Sequence, residues 1–383
     1  MKAKEIICDV LVVGAGVSGL AAAAAASKRG VKTILLEQNN FIGGTVIAGM
    51  HRYLCGLYNN TISKTINKGI TARLISRFKR LSLKNRPLRK GKVYVFSFRR
   101  EDLAQAFSSL VKNKDNLKII LQNRVYFVQK DKGRIIVVHA KGKNRIITIK
   151  PKVVIDASGE GAIIKLSGAK YRISPVNSRQ LAGFSFRVKG LKDVNESLSI
   201  KVPYYIKFAT FTKFENRGEG LIRMSIPENW DVARLRRQAH NVLFYLRKVL
   251  PAFKDAYIVE FSPYVVEREG ICLRGEYTLT AGDILEGRKF NDGVVKNSWP
   301  IEIWDQKKGP KYKYLKPRQY YEIPLRCLKS KNIKNLLACG RCISVTHEGL
   351  GSTRVAGTCI ALGEQAGLAA VKLCTFYCSN PSN

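Results

Sequence analysis

A glycine-rich turn near the start of the sequence constrains the fold more than any other feature. The apolar run at residues 10–13 leads into Gly14-Ala-Gly-Val-Ser-Gly19, and Glu37 ends the next apolar run. In this spacing Gly14, Gly16 and Gly19 let the backbone approach a pyrophosphate and let a helix pack closely on the strand. The helix N-terminus then directs free N–H groups at the phosphates, and a carboxylate at position 37 accepts from ribose hydroxyls. The pattern predicts a dinucleotide site, since the alternative, a glycine turn before an alanine-rich helix, does not explain Glu37.

Length and composition favour a soluble globular protein of two structural domains. The chain has 383 residues, which is long for a single core. No apolar stretch approaches the ~20 residues that span a bilayer, and a first strand expected from about Asp9 leaves no room for a signal peptide. Nine cysteines do not indicate a disulfide framework in a chain of this size, and the Cys339–Cys342 pair lacks a second pair at zinc spacing. We therefore expect a cytoplasmic protein with free thiols, no membrane span and no metal.

Positive charge is the second unusual feature of the composition. The chain has 67 lysines and arginines against 28 acids, a formal net charge of +39. Basic stretches with interleaved aromatics, as between Arg73 and Arg100, can bind nucleic acid or an acidic protein surface. Because lysines occur along the whole chain, a general compositional bias explains the charge without any partner. We expect no nucleic acid partner and keep an acidic protein as a partner to test.

The order of apolar runs indicates an α/β fold. Residues 9–38 have a β-turn-α-β pattern, and short β runs between 117 and 149 lead into a buried run at 153–156. These runs predict a β-meander inserted into a doubly wound parallel sheet. Residues 171–320 mix strands with one basic helix and contain no phosphate motif, so we expect them to form a second lobe. Strand, turn and long-helix patterns return after residue 321.

Four sequence blocks lie in order along nearly the whole chain, at residues 14–45, 154–161, 275–305 and 323–367. Together they resemble the FAD-dependent oxidoreductases of the glutathione-reductase-like superfamily, and more narrowly those that group with the flavoprotein component of heterodisulfide reductase. The resemblance implies a Rossmann-like FAD-binding domain with a β-meander crossover, interrupted by an inserted mixed α+β substrate or cap domain. The implied bounds are 1–170 and 321–378 for the FAD-binding domain and 171–320 for the insertion.

The resemblance also implies which residues hold FAD. Gly14, Gly16 and Gly19 would hold the pyrophosphate, and Glu37 the adenosine ribose. The remaining contacts, along the flavin-side phosphates, ribitol, adenine and the flavin-facing helix, would come from Gly43, Gly44, Thr45, Val125, Gly159, Gly340, Arg341, Ser352 and Thr353. Residues 352–358 would open a helix whose N-terminus stabilises negative charge at flavin N1 and O2.

Three residues are candidates for catalysis beside a flavin, which itself carries the redox chemistry. His347 and Arg354 belong to a segment similar to one in fumarate-reductase-type flavoproteins, where the arginine holds a substrate carboxylate. His51, in the glycine-rich loop, would be a second acid or base. The alternatives are a structural or FAD-phosphate role for Arg354 and a solvated loop position for His51.

The chain departs from the family pattern at two places where a substrate would sit. Met50-His51-Arg52-Tyr53 replaces small and apolar residues, and residues 268–272 replace an arginine-rich segment. Arg268 and Arg288 either line the second lobe or, as we expect, form ion pairs with Glu276 or Asp292.

Three functions are consistent with these features. The first is an FAD-dependent dehydrogenase or oxidase that transfers a hydride between a small organic substrate and flavin N5. The second is an electron-transfer flavoprotein within a larger complex, which docks an acidic redox partner through its basic surface. The third and least favoured is a flavoprotein that acts on RNA. A self-contained NAD(P)H reductase is disfavoured, because the sequence has only one dinucleotide fingerprint.

Overall fold

Strands and helices alternate along the chain in this computed structural model, which describes residues 4–379 except 144, 194–196, 201, 203–205, 207, 215–217 and 228–229. The elements up to the second lobe are β1 (Lys4–Val13), α1 (Val17–Lys28), β2 (Thr33–Leu36), α2 (Thr45–Ala48), β3 (Tyr53–Leu54), α3 (Ile70–Leu81), β4 (Arg86–Lys90), β5 (Val93–Ser97), α4 (Arg100–Val111), β6 (Leu117–Ile120), β7 (Arg124–Asp131), β8 (Arg134–Lys141), β9 (Ile146–Asp156) and α5 (Ala162–Leu166). The elements that follow are β10 (Tyr171–Arg172), β11 (Ala182–Lys189), β12 (Ser197–Ile200), β13 (Phe208–Lys213), β14 (Gly220–Ile226), α6 (Val232–Val249), β15 (Tyr257–Phe261), β16 (Cys272–Leu273), α7 (Ala281–Glu286), β17 (Gly293–Asn297), β18 (Ile301–Asp305), β19 (Gly309–Lys313), β20 (Tyr321–Pro324), β21 (Leu336–Ala338), α8 (His347–Thr353) and α9 (Ala356–Ser379).

A seven-stranded sheet forms the centre of the nucleotide-binding part. Its order is β6-β2-β1-β9-β8-β7, and β21 also pairs with β9. The pairs β1–β2, β1–β9, β2–β6 and β9–β21 are parallel, whereas β7–β8 and β8–β9 are antiparallel. The predicted α/β class with a β-meander in a parallel sheet is therefore confirmed. One detail differs, because the two runs expected near 145–149 and 153–156 form a single long strand, β9.

The second lobe is a five-stranded antiparallel sheet with α6 packed on one face. Its order is β12-β13-β14-β11-β15. Successive side chains of a strand point to opposite faces, so on β14 Ile222 and Met224 join the apolar core beneath α6. Arg223 and its neighbours on the other face point toward the nucleotide-binding part, where they line a cleft. The predicted domain bounds at 170 and 320 stay predictions.

The long helix α9 packs against α1 with almost no side chain between the two backbones. All six alanines at residues 21–26 of α1 are buried. A Cβ added to Gly363 would lie 2.0 Å from the carbonyl oxygen of Ser18, and one added to Gly367 would lie 2.3 Å from that of Ala22. Close helix contact of this kind requires small residues on both helices.

Helix α9 also corrects the expectation that no apolar stretch approaches membrane-spanning length. Among the described residues it is the one helix long and apolar enough to cross a bilayer. Its most apolar window is 56% buried inside the protein. Packing against α1 and the central sheet explains why its residues are apolar.

We predict that Gly363→Ala lowers the free energy of unfolding by about 2 kcal/mol or more, because the added methyl has no space against the α1 backbone. Gly282→Ala is the matched control, since a Cβ on this exposed helical glycine would meet nothing closer than 3.6 Å. That control should be neutral or slightly stabilising. Urea denaturation of both variants checks the prediction, and equal midpoints would contradict it.

Candidate dinucleotide and substrate cleft

A cleft of about 1470 Å³ runs from the glycine turn after β1 to the face of the second lobe. One end is lined by the glycine turn, by Glu37 and by the start of β7, and the other end by strands β13, β14 and β18. The beginning of α9 borders it as well, through Ala356 and Cys359. The cleft therefore joins the predicted cofactor residues to residues of the inserted lobe.

The three glycines of the turn are required for three different reasons. Gly14 has a φ of +102°, and a Cβ there would lie 2.5 Å from the carbonyl oxygen of Ala157. A Cβ on Gly19 would lie 1.8 Å from the carbonyl oxygen of Gly14, so its absence lets α1 pack directly on the turn. A Cβ on Gly16 would meet no atom of the described residues within 4 Å. Gly16 therefore leaves open space at the N-terminus of α1, where a pyrophosphate would lie.

The second glycine pair holds the next loop against the first. Gly43 and Gly44 have φ values of +100° and +52°, a conformation that favours glycine. Gly43 forms a parallel bridge with Gly16, and a Cβ on Gly44 would lie 2.9 Å from the Cα of Gly16. Thr45 then begins α2 and lines the cleft, whereas Gly43 acts through packing.

Glu37 lies buried at the end of β2 with its carboxylate at the cleft. Its Oε2 accepts from the backbone N–H of Ala15 at 2.6 Å. Its Oε1 accepts from the backbone and side chain of Asn39 at 2.8 and 2.7 Å. These bonds orient the carboxylate while leaving lone pairs for ribose hydroxyls.

The turn after β9 closes the floor of the cleft. Asp156 is fully buried and accepts hydrogen bonds from Ser158 and from the backbone of Ile164, which shapes the turn. Gly159 follows with a φ of +74°. Its carbonyl oxygen accepts from Arg341 Nε at 2.7 Å.

Arg341 hydrogen-bonds to backbone carbonyl oxygens of both lobes and so acts mainly as a link between them. Besides Gly159, it donates from Nη1 to the carbonyl oxygens of Glu267 and Glu269, both at 2.7 Å. Its neighbour Gly340 has a φ of +68° and no room for a Cβ beside Ser18. Both residues line the cleft.

The predicted helix start at residues 352–358 needs correction. Ser352 and Thr353 are the last residues of α8 and are fully buried, and the next helix begins at Ala356. Ser352 Oγ donates to the carbonyl oxygen of Trp299 at 2.6 Å and lies 2.7 Å from the hydroxyl of Tyr321. Neither Ser352 nor Thr353 lines the cleft, so the structure does not bring these two residues to the predicted cofactor site.

Val125 lies near the start of β7, where it pairs with Ala140 and lines the cleft. Arg124, Lys141 and Lys165 also line this end, which sequence reasoning did not identify. The N-terminus of α1 has no side-chain cap, so its first N–H groups are available to a ligand beside the glycine turn. Open space at Gly16, an uncapped helix N-terminus and a buried carboxylate together fit a dinucleotide.

His51 is brought to the middle of the cleft by a strained turn. Met50 precedes it with a φ of +53°, a conformation that L side chains rarely adopt. The backbone N–H of His51 donates to the carbonyl oxygen of Val46 at 3.1 Å. Among the described residues no group hydrogen-bonds to the imidazole ring, so it is free to contact a ligand.

Arg354 lies in the same part of the cleft as His51, together with Arg223 and Arg268. Burial and the charges of these three arginines lower the pKa of His51 to about 3. The ring is therefore neutral at pH 7 and can accept a proton. Period-two alternation on β14, which separates Arg223 from Ile222 and Met224, is the signal that could have found Arg223 in the sequence.

The expected ion pairs of Arg268 and Arg288 with Glu276 or Asp292 are wrong, and Arg288 pairs with Asp283 at 2.7 Å. Asp292 pairs instead with Arg326 at 3.1 Å, and Glu276 with Lys329 at 3.8 Å. Arg268 is buried in the cleft wall, where its guanidinium lies 4.2 Å from the ring centroid of Trp304.

His347 lies outside the cleft lining. It begins α8, and its Nδ1 lies 2.9 Å from a carboxylate oxygen of the buried Glu269. Burial raises the pKa of Glu269, but hydrogen bonds, chiefly from His347, hold it below its usual range. The structure therefore separates His347 from His51 and Arg354 and gives it a partner of its own.

Comparison with known proteins identifies one family along the chain. The family model described as FAD dependent oxidoreductase matches residues 9–235 and 223–375. A 42-residue segment is 50% identical to part of 4-oxocyclohex-2-ene-1-carboxylate 5-dehydrogenase from Sinomonas cyclohexanicum. That match spans 11% of this chain and 7% of the relative.

Solved structures share the fold at low identity. A geranylgeranyl bacteriochlorophyll reductase-like protein from Thermoplasma acidophilum has a TM-score of 0.56 and 16% identity, covering 98% of this chain and 80% of that one. A p-nitrophenol 4-monooxygenase from Pseudomonas putida DLL-E4 has a TM-score of 0.54 and 12% identity, covering 98% and 81%. A flavoprotein/dehydrogenase from Cytophaga hutchinsonii has a TM-score of 0.54 and 14% identity, covering 97% and 79%.

We predict that Gly16→Ala weakens FAD binding at least about tenfold without destabilising the apoprotein, since ~1.4 kcal/mol is one decade in affinity. The added methyl meets no atom of the described residues but occupies the space beside the α1 N-terminus. Fluorescence titration of apoprotein with FAD, beside thermal denaturation, measures both quantities, with Gly282→Ala as control. Unchanged FAD affinity would place the pyrophosphate elsewhere.

Proposed function

The chain belongs to the family of FAD-dependent oxidoreductases, and from this premise we propose that it is a dehydrogenase or oxidase of a small organic substrate. In this proposal a hydride passes between a substrate carbon and N5 of the flavin. The substrate lies where the cleft meets the second lobe.

The observation that carries the proposal is the continuity of the cleft. The cofactor-end residues Gly16 and Glu37 line the same cavity as His51 and Arg354. A substrate at the second-lobe end would therefore lie next to a cofactor that begins at the glycine turn. Bound FAD supplies two-electron redox chemistry at its isoalloxazine ring.

In the proposed reaction His51 holds or takes the substrate proton. Its ring has no described hydrogen-bond partner, and in the free enzyme its pKa of about 3 makes it a weak base. An anion bound among the three arginines offsets their charge and raises that pKa toward the range in which a general base works. Arg354 orients the substrate, since its Nη2 is held by the side chain of Gln180 and the carbonyl oxygen of Glu302, both at 3.2 Å. His347 has no role in this proposal.

The 42-residue match to a protein that is named as a dehydrogenase supports the dehydrogenase type. The neighbours in fold include a monooxygenase as well, and that chemistry consumes O₂ and an external reductant. The compound that reduces the flavin therefore distinguishes a dehydrogenase from a monooxygenase.

A second candidate function rests on a groove outside the cleft. Helices α1, α3 and α4 surround a groove of about 570 Å³ whose basic side chains are Lys28, Arg73, Arg77, Arg80 and Lys114. Such a surface suits an acidic electron-transfer protein.

The test of the proposed function is anaerobic reduction of the purified holoenzyme. We expect loss of the oxidised-flavin absorbance on adding a substrate from a panel of small organic acids, alcohols and cyclic ketones, with no NAD(P)H present. Reduction by NAD(P)H alone, with product formed only under O₂, would contradict the proposal in favour of a monooxygenase. Reduction only by a reduced acidic ferredoxin, at a rate that falls with added salt, would favour the electron-transfer function.

We predict that His51→Asn lowers kcat about 10²-fold while FAD content stays at the wild-type level, because a general base contributes roughly that factor. Burial, together with Arg223, Arg268 and Arg354, lowers the pKa of His51 to about 3 in the free enzyme. The base is therefore already deprotonated above that pH, and kcat/KM should show no acidic limb from pH 5 to 8. His240→Asn, on the exposed side of α6, is the control. An acidic limb near pH 6.5 that disappears in His51→Asn would contradict the predicted environment.

A further inference from the structure

Three guanidinium groups converge on the second-lobe end of the cleft from separate parts of the chain. Arg223 lies on β14, Arg268 lies between β15 and β16, and Arg354 lies between α8 and α9. Among the described residues none of the three forms an ion pair with a carboxylate. Like charges gathered in a cleft wall are costly unless an anion lies among them.

Each guanidinium is held by neutral acceptors, which orient it without cancelling its charge. Arg223 donates from Nε to Ser185 Oγ and from Nη2 to the carbonyl oxygen of Gly49, both at 3.3 Å. Arg268 donates to the carbonyl oxygen of Leu181 and stacks on Trp304. Arg354 is held in the same way, by an amide and a carbonyl oxygen.

Among the described residues, Glu302 is the carboxylate whose charge acts on both Arg223 and Arg268, and it is already engaged. Glu302 accepts from the indole N–H of Trp304 at 2.6 Å and from that of Trp299 at 3.2 Å. Its charge acts on Arg223 and Arg268 and opposes the lowering of their pKa by burial. Among the residues that the structure describes in this cluster, three arginines, one glutamate and a neutral His51 leave two positive charges without a counterpart.

The other charges of the cleft lie outside this cluster. Glu267 is exposed, and Arg52 donates to the carbonyl oxygen of Phe98. Glu37 is bound to Ala15 of the glycine turn, and Glu160 lies within 3.5 Å of the Gln38 side chain. Arg341 is committed to three backbone carbonyl oxygens. The unbalanced charge is therefore local to Arg223, Arg268 and Arg354.

We propose that Arg223, Arg268 and Arg354 form the recognition site for an organic carboxylate, which is the substrate class of this enzyme. The inference rests on the proposed function for the location of the substrate and adds its chemical class. A guanidinium fork donates two parallel hydrogen bonds to a carboxylate, and Trp304 offers an apolar face to the carbon skeleton beside it. Bound there, the carboxylate offsets the excess charge next to His51.

The experiment is a binding titration of the oxidised holoenzyme without turnover. Cyclohexanecarboxylate and succinate are added, and the shift of the flavin absorbance and the heat of binding are recorded. Their uncharged amides, cyclohexanecarboxamide and succinamide, are the matched probes, and inorganic phosphate is the third. We expect at least one carboxylate to bind roughly 10- to 100-fold more tightly than its amide, since hydrogen bonds to a charged group are stronger than those to a neutral one.

Single variants test the three arginines. Arg223→Gln, Arg268→Gln and Arg354→Gln should each raise the Kd of that carboxylate roughly 10- to 100-fold and leave the Kd of the amide unchanged. Arg354→Lys should recover part of the loss, since it keeps the charge. Arg237→Gln, on the exposed face of α6, is the control and should change neither Kd. Flavin content and melting temperature identify any variant that does not fold, and the comparison of acid with amide on the wild type is independent of the variants.

Several outcomes would overturn the inference. Equal binding of acid and amide would remove the carboxylate preference, and phosphate binding as tight as carboxylate binding would indicate an unselective anion site. Failure of this inference differs from failure of the proposed function. Flavin reduction by uncharged substrates with no preference for carboxylates keeps the function and overturns the site. Tight carboxylate binding with no flavin reduction by any panel member keeps the site and overturns the function.

Discussion

Direct backbone contact between α1 and its two neighbours holds the nucleotide-binding part together. On one side Gly19 lets α1 approach the carbonyl oxygen of Gly14, and on the other Gly363 and Gly367 let α9 approach α1. The backbones touch at these glycines, since a Cβ added to any of the three would overlap a carbonyl oxygen. The close packing therefore holds α1 and α9 in one position relative to each other. The start of α1 is thereby fixed against the cleft, and so is the start of α9 at Ala356. The position of the cofactor site thus depends on helix packing more than on any side chain within it.

The two ends of the cleft attract negative charge in different ways. At the cofactor end the backbone attracts negative charge, through the uncapped N-terminus of α1 and the space left by Gly16. At the other end arginine side chains attract negative charge, and neutral acceptors hold these side chains in place. Partly buried charges are screened less by salt than charges on the surface. The local excess at Arg268 therefore matters more to binding than the net charge of +39 spread over the chain.

Sequence reasoning succeeded where a function depends on residues close together in the chain. The turn from Gly14 to Gly19 has the required backbone shape, and Glu37 lies at the end of the next strand, as predicted. It failed to predict which carboxylate, distant in the chain, pairs with a given arginine. Among the described residues Arg268 forms no ion pair, and Asp292 pairs with Arg326 instead. It also placed His347 at the site, whereas the fold pairs this residue with the buried Glu269 outside the cleft lining.

The sequence alone determined the α/β class, the glycine turn, and the alternation that directs Arg223 away from the core of its lobe. These features depend on steric limits and on periodicities of a few residues, which a short segment contains in full. Only the tertiary structure decided that Arg223, Arg268 and Arg354 meet beside His51. Their convergence depends on how the second lobe lies against α2, β18 and α9. No local pattern encodes that arrangement, because it follows from the summed packing of segments far apart in the chain.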